Sequence, residues 1–88
     1  MKITFYYRPR CGLCEEIEGP LAQLAAAHNT EIARVNIDED RAALRRYWDK
    51  IPVIDIEGGP TLSAPIDPQT LAAALARSVT IKTSESPP

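Results

Sequence analysis

The chain opens with an alternating apolar run in which Ile3, Phe5 and Tyr7 share one face. Alternation with a period of two, in a stretch rich in β-branched and aromatic residues, is typical of a β-strand. We place this strand at Lys2–Tyr7. Pro9 ends it, because proline cannot donate a hydrogen bond to a strand ladder.

After Gly12 the apolar residues recur at spacings of three and four, which is the period of one face of an α-helix. We predict a helix from Gly12 to His28. Gly19-Pro20 falls inside it, and an interior proline removes a backbone hydrogen bond and kinks or breaks a helix. The apolar face continues beyond the proline, so we expect a kink and not a stop. This face carries Cys14, Ile17, Leu21, Leu24 and His28.

A second alternating run predicts a strand at Glu31–Asn36. Asp38 is a suitable N-cap for a helix over Glu39–Trp48, because a short carboxylate accepts hydrogen bonds from the first free amides. Its inward face is predicted to contain Ala42, Ala43, Leu44 and Tyr47, with Trp48 as a partly buried packing residue.

The third strand is predicted over Lys50–Glu57, and a hairpin turn at Gly58-Gly59 leads to a short fourth strand at Thr61–Ala64. Asp67-Pro68 then fits an N-cap followed by proline at the first helical position. The last helix should run to about Arg77.

The predicted order of elements is β-α-β-α-β-β-α, an α/β fold whose first strand, helix and strand form a right-handed parallel crossover. Residues 1–80 form one domain. Residues 81–88 are polar and end in prolines, so we expect a disordered tail.

Composition narrows the classes of function. The chain has 88 residues and a net charge of −2, so it is one small domain with no overall basic field for nucleic acid. Its first apolar run is too short for a signal peptide or a membrane span. Two cysteines are too few for a secreted disulfide scaffold, and we therefore expect the reducing cytoplasm as the location. We also expect a monomer.

Candidate chemistry lies at Cys11-Gly12-Leu13-Cys14, between the first strand and the first helix. Cysteines three apart can close a disulfide across the first turn of a helix, with Cys11 facing solvent and Cys14 facing the body of the domain. A thiolate attacks a disulfide and a second thiol must then resolve the mixed disulfide, so this asymmetry suits a redox-active dithiol. A structural staple fits less well, because a loop this short gives a disulfide only about 2 kcal/mol of entropic stabilisation.

Three other interpretations of the cysteines stay open. A C-x-x-C is also half of a zinc site, which needs four protein ligands, and the only other soft donor is His28. Two copies of the chain could also each lend thiolates to an iron–sulfur cluster. Incidental burial of both cysteines is the remaining interpretation.

The element order, the position of the C-x-x-C and an Ile-Pro-Val sequence opening the third strand resemble the thioredoxin superfamily. The similarity is greatest to small bacterial glutaredoxin-like domains, and it extends from about Ile3 to Arg77. Three segments carry it: Phe5 to Cys14, Val35-Asn36-Ile37-Asp38 and Lys50-Ile51-Pro52-Val53.

This resemblance implies a thioredoxin fold, with a four-stranded mixed sheet in the order 2-1-3-4, the first and last helices on one face and the middle helix on the other. It implies a cis Ile51–Pro52 bond opposite the cysteines, with the Ile51 backbone free to pair with a substrate. Arg8 matches a basic residue near the nucleophile. Lys50 matches a polar group that contacts the glutathionyl carboxylate.

The chain also departs from the glutaredoxin pattern. Gly-Leu replaces the usual Pro-Tyr between the cysteines, and Ser63-Ala64-Pro65-Ile66-Asp67 replaces a Gly-Gly with a following Asp. No resident cofactor is expected. The predicted substrate is a protein disulfide or a glutathione mixed disulfide, and the electron donor is either glutathione or a thioredoxin-type system.

The predicted function is thiol–disulfide oxidoreductase activity in cell redox homeostasis, with Cys11 as nucleophile and Cys14 as resolving thiol. A helix N-terminus stabilises an anion by about 0.3–1 kcal/mol, and by up to about 2 kcal/mol when partly buried. The pKa of the Cys11 thiol should therefore lie below its ordinary value of about 8.5. Arg8 and Arg10 should add little, because exposed ion pairs contribute only about 0–1 kcal/mol.

Overall fold

The computed structural model describes residues 1–85, and the side chains of residues 1–77. One mixed sheet has the strand order β2-β1-β3-β4, with β1 parallel to β2 and the other neighbours antiparallel. This is the predicted topology. The elements are β1 (Lys2–Tyr7), α1 (Gly12–Ala27), β2 (Glu31–Asn36), a 3-10 turn (Ile37–Glu39), α2 (Arg41–Tyr47), β3 (Val53–Ile56), β4 (Thr61–Ser63) and α3 (Pro68–Glu85).

The main core lies on the face of the sheet that α1 and α3 cover. Phe5 is 1% exposed there, and burial of such a side chain contributes about 1.5–3 kcal/mol. Cys14 belongs to the same cluster, so the start of α1 is fixed by the core itself. The other members are Ile3, Ile17, Leu21, Ala25, Ile54, Ile56, Leu71, Ala74 and Leu75.

Helix α1 continues through Pro20, as predicted, and ends one residue earlier than expected. His28 is its C-cap, and Asn29 adopts a left-handed conformation with φ of 52°. The amide of Asn29 donates to the Ala26 carbonyl at 3.2 Å, and that of Thr30 donates to the Ala25 carbonyl at 2.8 Å. These two bonds form a Schellman motif, which satisfies the last carbonyls of the helix and turns the chain into β2.

The predicted start of α2 was wrong. Asp40, and not Asp38, is the N-cap, and its carboxylate accepts a hydrogen bond from the Ala43 amide at 3.1 Å. The reason is that the Asn36 side chain accepts a hydrogen bond from the Asp38 amide at 2.9 Å. This local bond produces a 3-10 turn and delays the helix.

The burial of side chains along α2 also differs from the prediction. Ala43 is buried and Leu44 and Tyr47 are half-buried, but Ala42 is exposed. Trp48 was expected to be partly buried, and it is 61% exposed. Tyr47 takes the inward position beside Tyr6, and the next residue along a helix points about 100° away from it.

The last three elements follow the predicted order, but β3 and β4 are both shorter than predicted. Gly58 supplies the left-handed turn of the β3–β4 hairpin, with φ of 77°. Asp67 caps α3 as predicted, accepting a hydrogen bond from the Thr70 amide at 3.3 Å. Among the helices of residues 1–85, none is both long enough and apolar enough to cross a membrane.

Helix α3 extends to Glu85, so its predicted end near Arg77 was too early. The predicted tail of residues 81–88 overlaps the end of this helix, and residues 86–88 lie outside the described part of the chain. The division into a domain of residues 1–80 and a disordered tail stays a prediction.

Replacement of the α2 cap gives a direct test of the corrected helix start. Asp40→Ala should lower the free energy of unfolding by about 0.5–2 kcal/mol, whereas Asp40→Asn should change it much less, because asparagine caps as well as aspartate. Urea denaturation of both variants measures the difference. Equal losses in the two variants would contradict the capping role.

Alkaline pH should destabilise the fold through Tyr6. Its ring packs 4.7 Å from that of Tyr47, and burial, followed by Tyr47 and Asp55, raises the pKa of the Tyr6 phenol above 10.0. The folded state thus favours the neutral phenol. The stability that this preference contributes is intact below pH 10.0 and is lost as pH rises through the folded pKa. Urea denaturation midpoints should fall with rising pH above 10.0, and they should fall less steeply for Tyr6→Phe than for wild type. Parallel pH profiles would contradict the assignment.

Candidate active site

The candidate site begins at the turn between β1 and α1. Arg10 has a left-handed backbone with φ of 64°, an uncommon conformation for a residue other than glycine. It turns the chain so that Cys11 becomes the N-cap of α1. The Cys11 carbonyl accepts a hydrogen bond from the Glu15 amide at 3.0 Å, and its Sγ accepts one from the Cys14 amide at 3.2 Å. Cys11 Sγ therefore lies at the positive end of the helix dipole.

The two cysteines are close together and differ in exposure. A disulfide joins them, with their Cα atoms 5.2 Å apart. Cys11 is half-buried at the surface, whereas Cys14 is 3% exposed and belongs to the core. An incoming electrophile can thus reach Cys11, while Cys14 lies behind it.

Arg8 is held by an acidic partner. Its Nε and Nη2 donate to Asp38 Oδ1 at 3.0 and 2.7 Å. The hydrogen bond to Asp38, together with the charge of that carboxylate, raises the pKa of Arg8. The pair ties the loop that precedes Cys11 to the turn after β2. A role of Arg8 beside the nucleophile stays a prediction.

The segment before β3 contains the other predicted site residues. The Ile51–Pro52 peptide bond is cis, as the resemblance implied. Pro52 is buried and lines a cavity together with Leu13, one of the two residues between the cysteines, so the turn lies beside the C-x-x-C segment. Lys50 is exposed, and its Nζ lies 3.4 Å from Asp49 Oδ1. Contact of Lys50 with a substrate carboxylate is not tested by this geometry and stays a prediction.

Three features of the site were missed by sequence reasoning. The first is the pairing of Arg8 with Asp38. It could have been inferred from the predicted parallel pairing of the first two strands, because Tyr7 lies opposite Asn36 at their carboxyl ends. The others are a second cis peptide, Ala64–Pro65, and the contribution of Ile66 to the cavity beside Pro52. Neither has a local sequence signal.

The positions of the metal-binding side chains bear on the zinc interpretation of the cysteines. Within residues 1–85, no three His, Cys, Asp or Glu side chains come together in a way that could hold a metal ion. Among the described side chains, His28 lies at the opposite end of α1 from the two cysteines and so cannot join them at one site. A metal or cluster shared between two copies of the chain stays a prediction.

Comparison with known structures supports this fold. The crystal structure of target protein XcR50 from X. campestris is 33% identical over 85% of this chain and 96% of its own, with a TM-score of 0.71. Its solution structure gives 34% identity over 88% and 95%, with a TM-score of 0.70. Thioredoxin 1 from Thermosipho africanus is only 14% identical, but it matches 94% of this chain and 99% of its own with a TM-score of 0.81. The fold is therefore the thioredoxin fold.

Sequence comparison identifies the family. Among curated proteins, none matches the chain. The model of the glutaredoxin-like domain (DUF836) matches residues 2–76, a range that includes β1, the dithiol, the cis-proline turn and the first half of α3. The chain therefore belongs to the family of glutaredoxin-like domains.

Proposed function

We propose that the protein is a thiol–disulfide oxidoreductase in which Cys11 is the nucleophile and Cys14 resolves. The observation that carries this proposal is the difference between the two sulfurs: Cys11 is half-buried at the N-cap of α1, and Cys14 lies behind it in the core. Membership of the glutaredoxin-like family supports a redox role for the pair.

The reaction transfers two electrons from the dithiol to a substrate disulfide. The Cys11 thiolate attacks one substrate sulfur, forming a mixed disulfide as the substrate S–S bond breaks, and the leaving thiolate takes a proton from water. Cys14 then loses its proton and attacks Cys11 Sγ. The Cys11–Cys14 disulfide forms, and the second substrate sulfur leaves as a thiol after protonation.

Backbone groups beside the dithiol are available to orient a substrate. In the described part of the chain, the amide and carbonyl of Ile51 have no hydrogen-bond partner, although the adjacent carbonyl of Lys50 accepts from the Ala64 amide at 3.1 Å. Free backbone groups of this kind can pair with an extended peptide as a neighbouring strand would. Ile51 and Pro52 are therefore proposed as substrate-binding residues, with Arg8 and Lys50 as candidate partners for anionic groups.

The cycle needs a reductant, because each turnover leaves the dithiol oxidised. A thiol such as glutathione, or a dithiol protein of the thioredoxin type, would reduce the Cys11–Cys14 disulfide and be oxidised in its turn. Such reductants are kept reduced in the cytoplasm, which we propose as the location of a monomeric enzyme.

Single substitutions should separate the roles of the two cysteines. With a stoichiometric disulfide substrate, Cys11→Ser should lower the rate by about 10³-fold or more, the scale on which loss of a nucleophile acts. Serine is a good N-cap, so this variant should keep the helix start intact. Cys14→Ser should still attack, but it should accumulate the mixed disulfide on Cys11, which mass spectrometry detects.

The same experiment contains its control. Thermal unfolding of each variant establishes that it is folded before rates are compared. Equal rates for wild type and Cys11→Ser, with no mixed disulfide on Cys14, would leave no enzymatic role for the site. A mixed disulfide on Cys14 in the Cys11→Ser variant, formed at the wild-type rate, would reverse the assignment.

The proposal also predicts the titration of Cys11. The Cys14 amide and the N-terminal end of α1 both favour a negative sulfur, so the pKa of the Cys11 thiol should lie below its ordinary value of about 8.5. Thiolate absorbance of the reduced protein, with that of Cys11→Ser subtracted, measures its midpoint. A midpoint at or above the ordinary value would remove the argument that the helix activates this thiol.

A further inference from the structure

A small cavity lies next to the C-x-x-C segment. Its volume is about 230 Å³, and it lies between the start of α1, the cis-proline turn and the segment that leads into α3. We call it the side pocket and define it by Leu13, Ile17, Pro52, Pro65 and Ile66, together with Glu16. Its wall includes Leu13, which together with Gly12 separates the two cysteines in sequence.

Size and surface chemistry suit the side pocket to one apolar side chain. Sites that enclose a whole drug-sized molecule have volumes of roughly 300–1,000 Å³, so this cavity is small for a tripeptide such as glutathione. Leu13 is 51% exposed and forms an apolar wall that solvent can reach. Ile17 is 3% exposed and forms part of the wall nearest the core.

Charge at the side pocket disfavours glutathione. Among its described lining residues, Glu16 is the only charged one, and it is acidic. Glutathione carries two carboxylates and one ammonium group at neutral pH, and would place net negative charge beside this carboxylate. Arg8 is paired with Asp38, and Lys50 is not among the lining residues, so neither offsets Glu16 within the pocket.

We propose that the preferred substrate is a disulfide in an extended protein segment that has a large apolar residue next to its half-cystine, and that the side pocket binds this residue. The inference rests on the proposed oxidoreductase function and narrows its substrate class. The free backbone groups of Ile51 would pair with the segment, while Leu13, Ile66 and Glu16 would determine the choice of side chain.

The test compares three mixed disulfides that share one chromogenic leaving thiol. The first contains a short cysteine peptide with leucine on both sides, the second the same peptide with serine, and the third glutathione. Reduced protein is mixed with each in a single turnover, and reporter release is divided by the rate with dithiothreitol. The leucine peptide should react about 10-fold faster or more than either competitor, as expected for an apolar group in a fitting pocket.

Variants then assign the preference to the side pocket. Two variants, Leu13→Ser and Ile66→Ser, should each lower the leucine-to-serine rate ratio at least about threefold. Leu13 is exposed, so its replacement should not affect folding. Glu16→Lys should raise the rate ratio of glutathione to the serine peptide. Glu15→Lys makes the same charge change on the neighbouring exposed residue of α1 and should leave that ratio unchanged.

The possible failures are distinct. Equal normalised rates for the three substrates, or a fastest reaction with glutathione, would overturn the inference while leaving the oxidoreductase function intact. An unchanged leucine preference in both serine variants would also overturn it. If wild type releases the reporter from every substrate no faster than Cys11→Ser does, the proposed function itself fails.

Discussion

The candidate site depends on the burial of Cys14 in the main core. Cys14, Ile17 and Leu21 follow the helical period, so packing of this face against β1 fixes the rotation of α1 about its axis. With that rotation set, the residue three positions earlier becomes the N-cap, and its sulfur lies at the helix end. The same apolar contacts that stabilise the fold therefore create the difference in exposure between the two cysteines.

Local patterns in the sequence were sufficient for most of the architecture. The alternation in Lys2–Tyr7 and in Glu31–Asn36 gave the bounds of β1 and β2, and the Asp67-Pro68 pair gave the start of α3. In each case one signal, such as a period or a cap, has no nearby competitor. The start of α2 failed because Asn36, Asp38 and Asp40 can all accept a backbone hydrogen bond, and the sequence does not rank them.

The parts of the site that could not be predicted depend on distant segments. Leu13 and Ile66 line one cavity although 53 positions separate them in the sequence (66 minus 13). The cis Ile51–Pro52 bond was expected only through the family resemblance, since most prolines follow a trans bond. The exposure of Trp48 follows from the inward position of Tyr47, because the next residue along the helix points about 100° away, and a general preference for burying tryptophan misses it.

The turn between β1 and α1 has a further consequence for variation in this chain. The last residue of β1 is held opposite Asn36, Arg8 is tied to Asp38, and α1 is held by its core face, so both ends of the connection are fixed in space. Arg10 already adopts a left-handed conformation within this short span. Substitutions can therefore be absorbed there more easily than a change in length, because one inserted or deleted residue would move the sulfur away from the helix end.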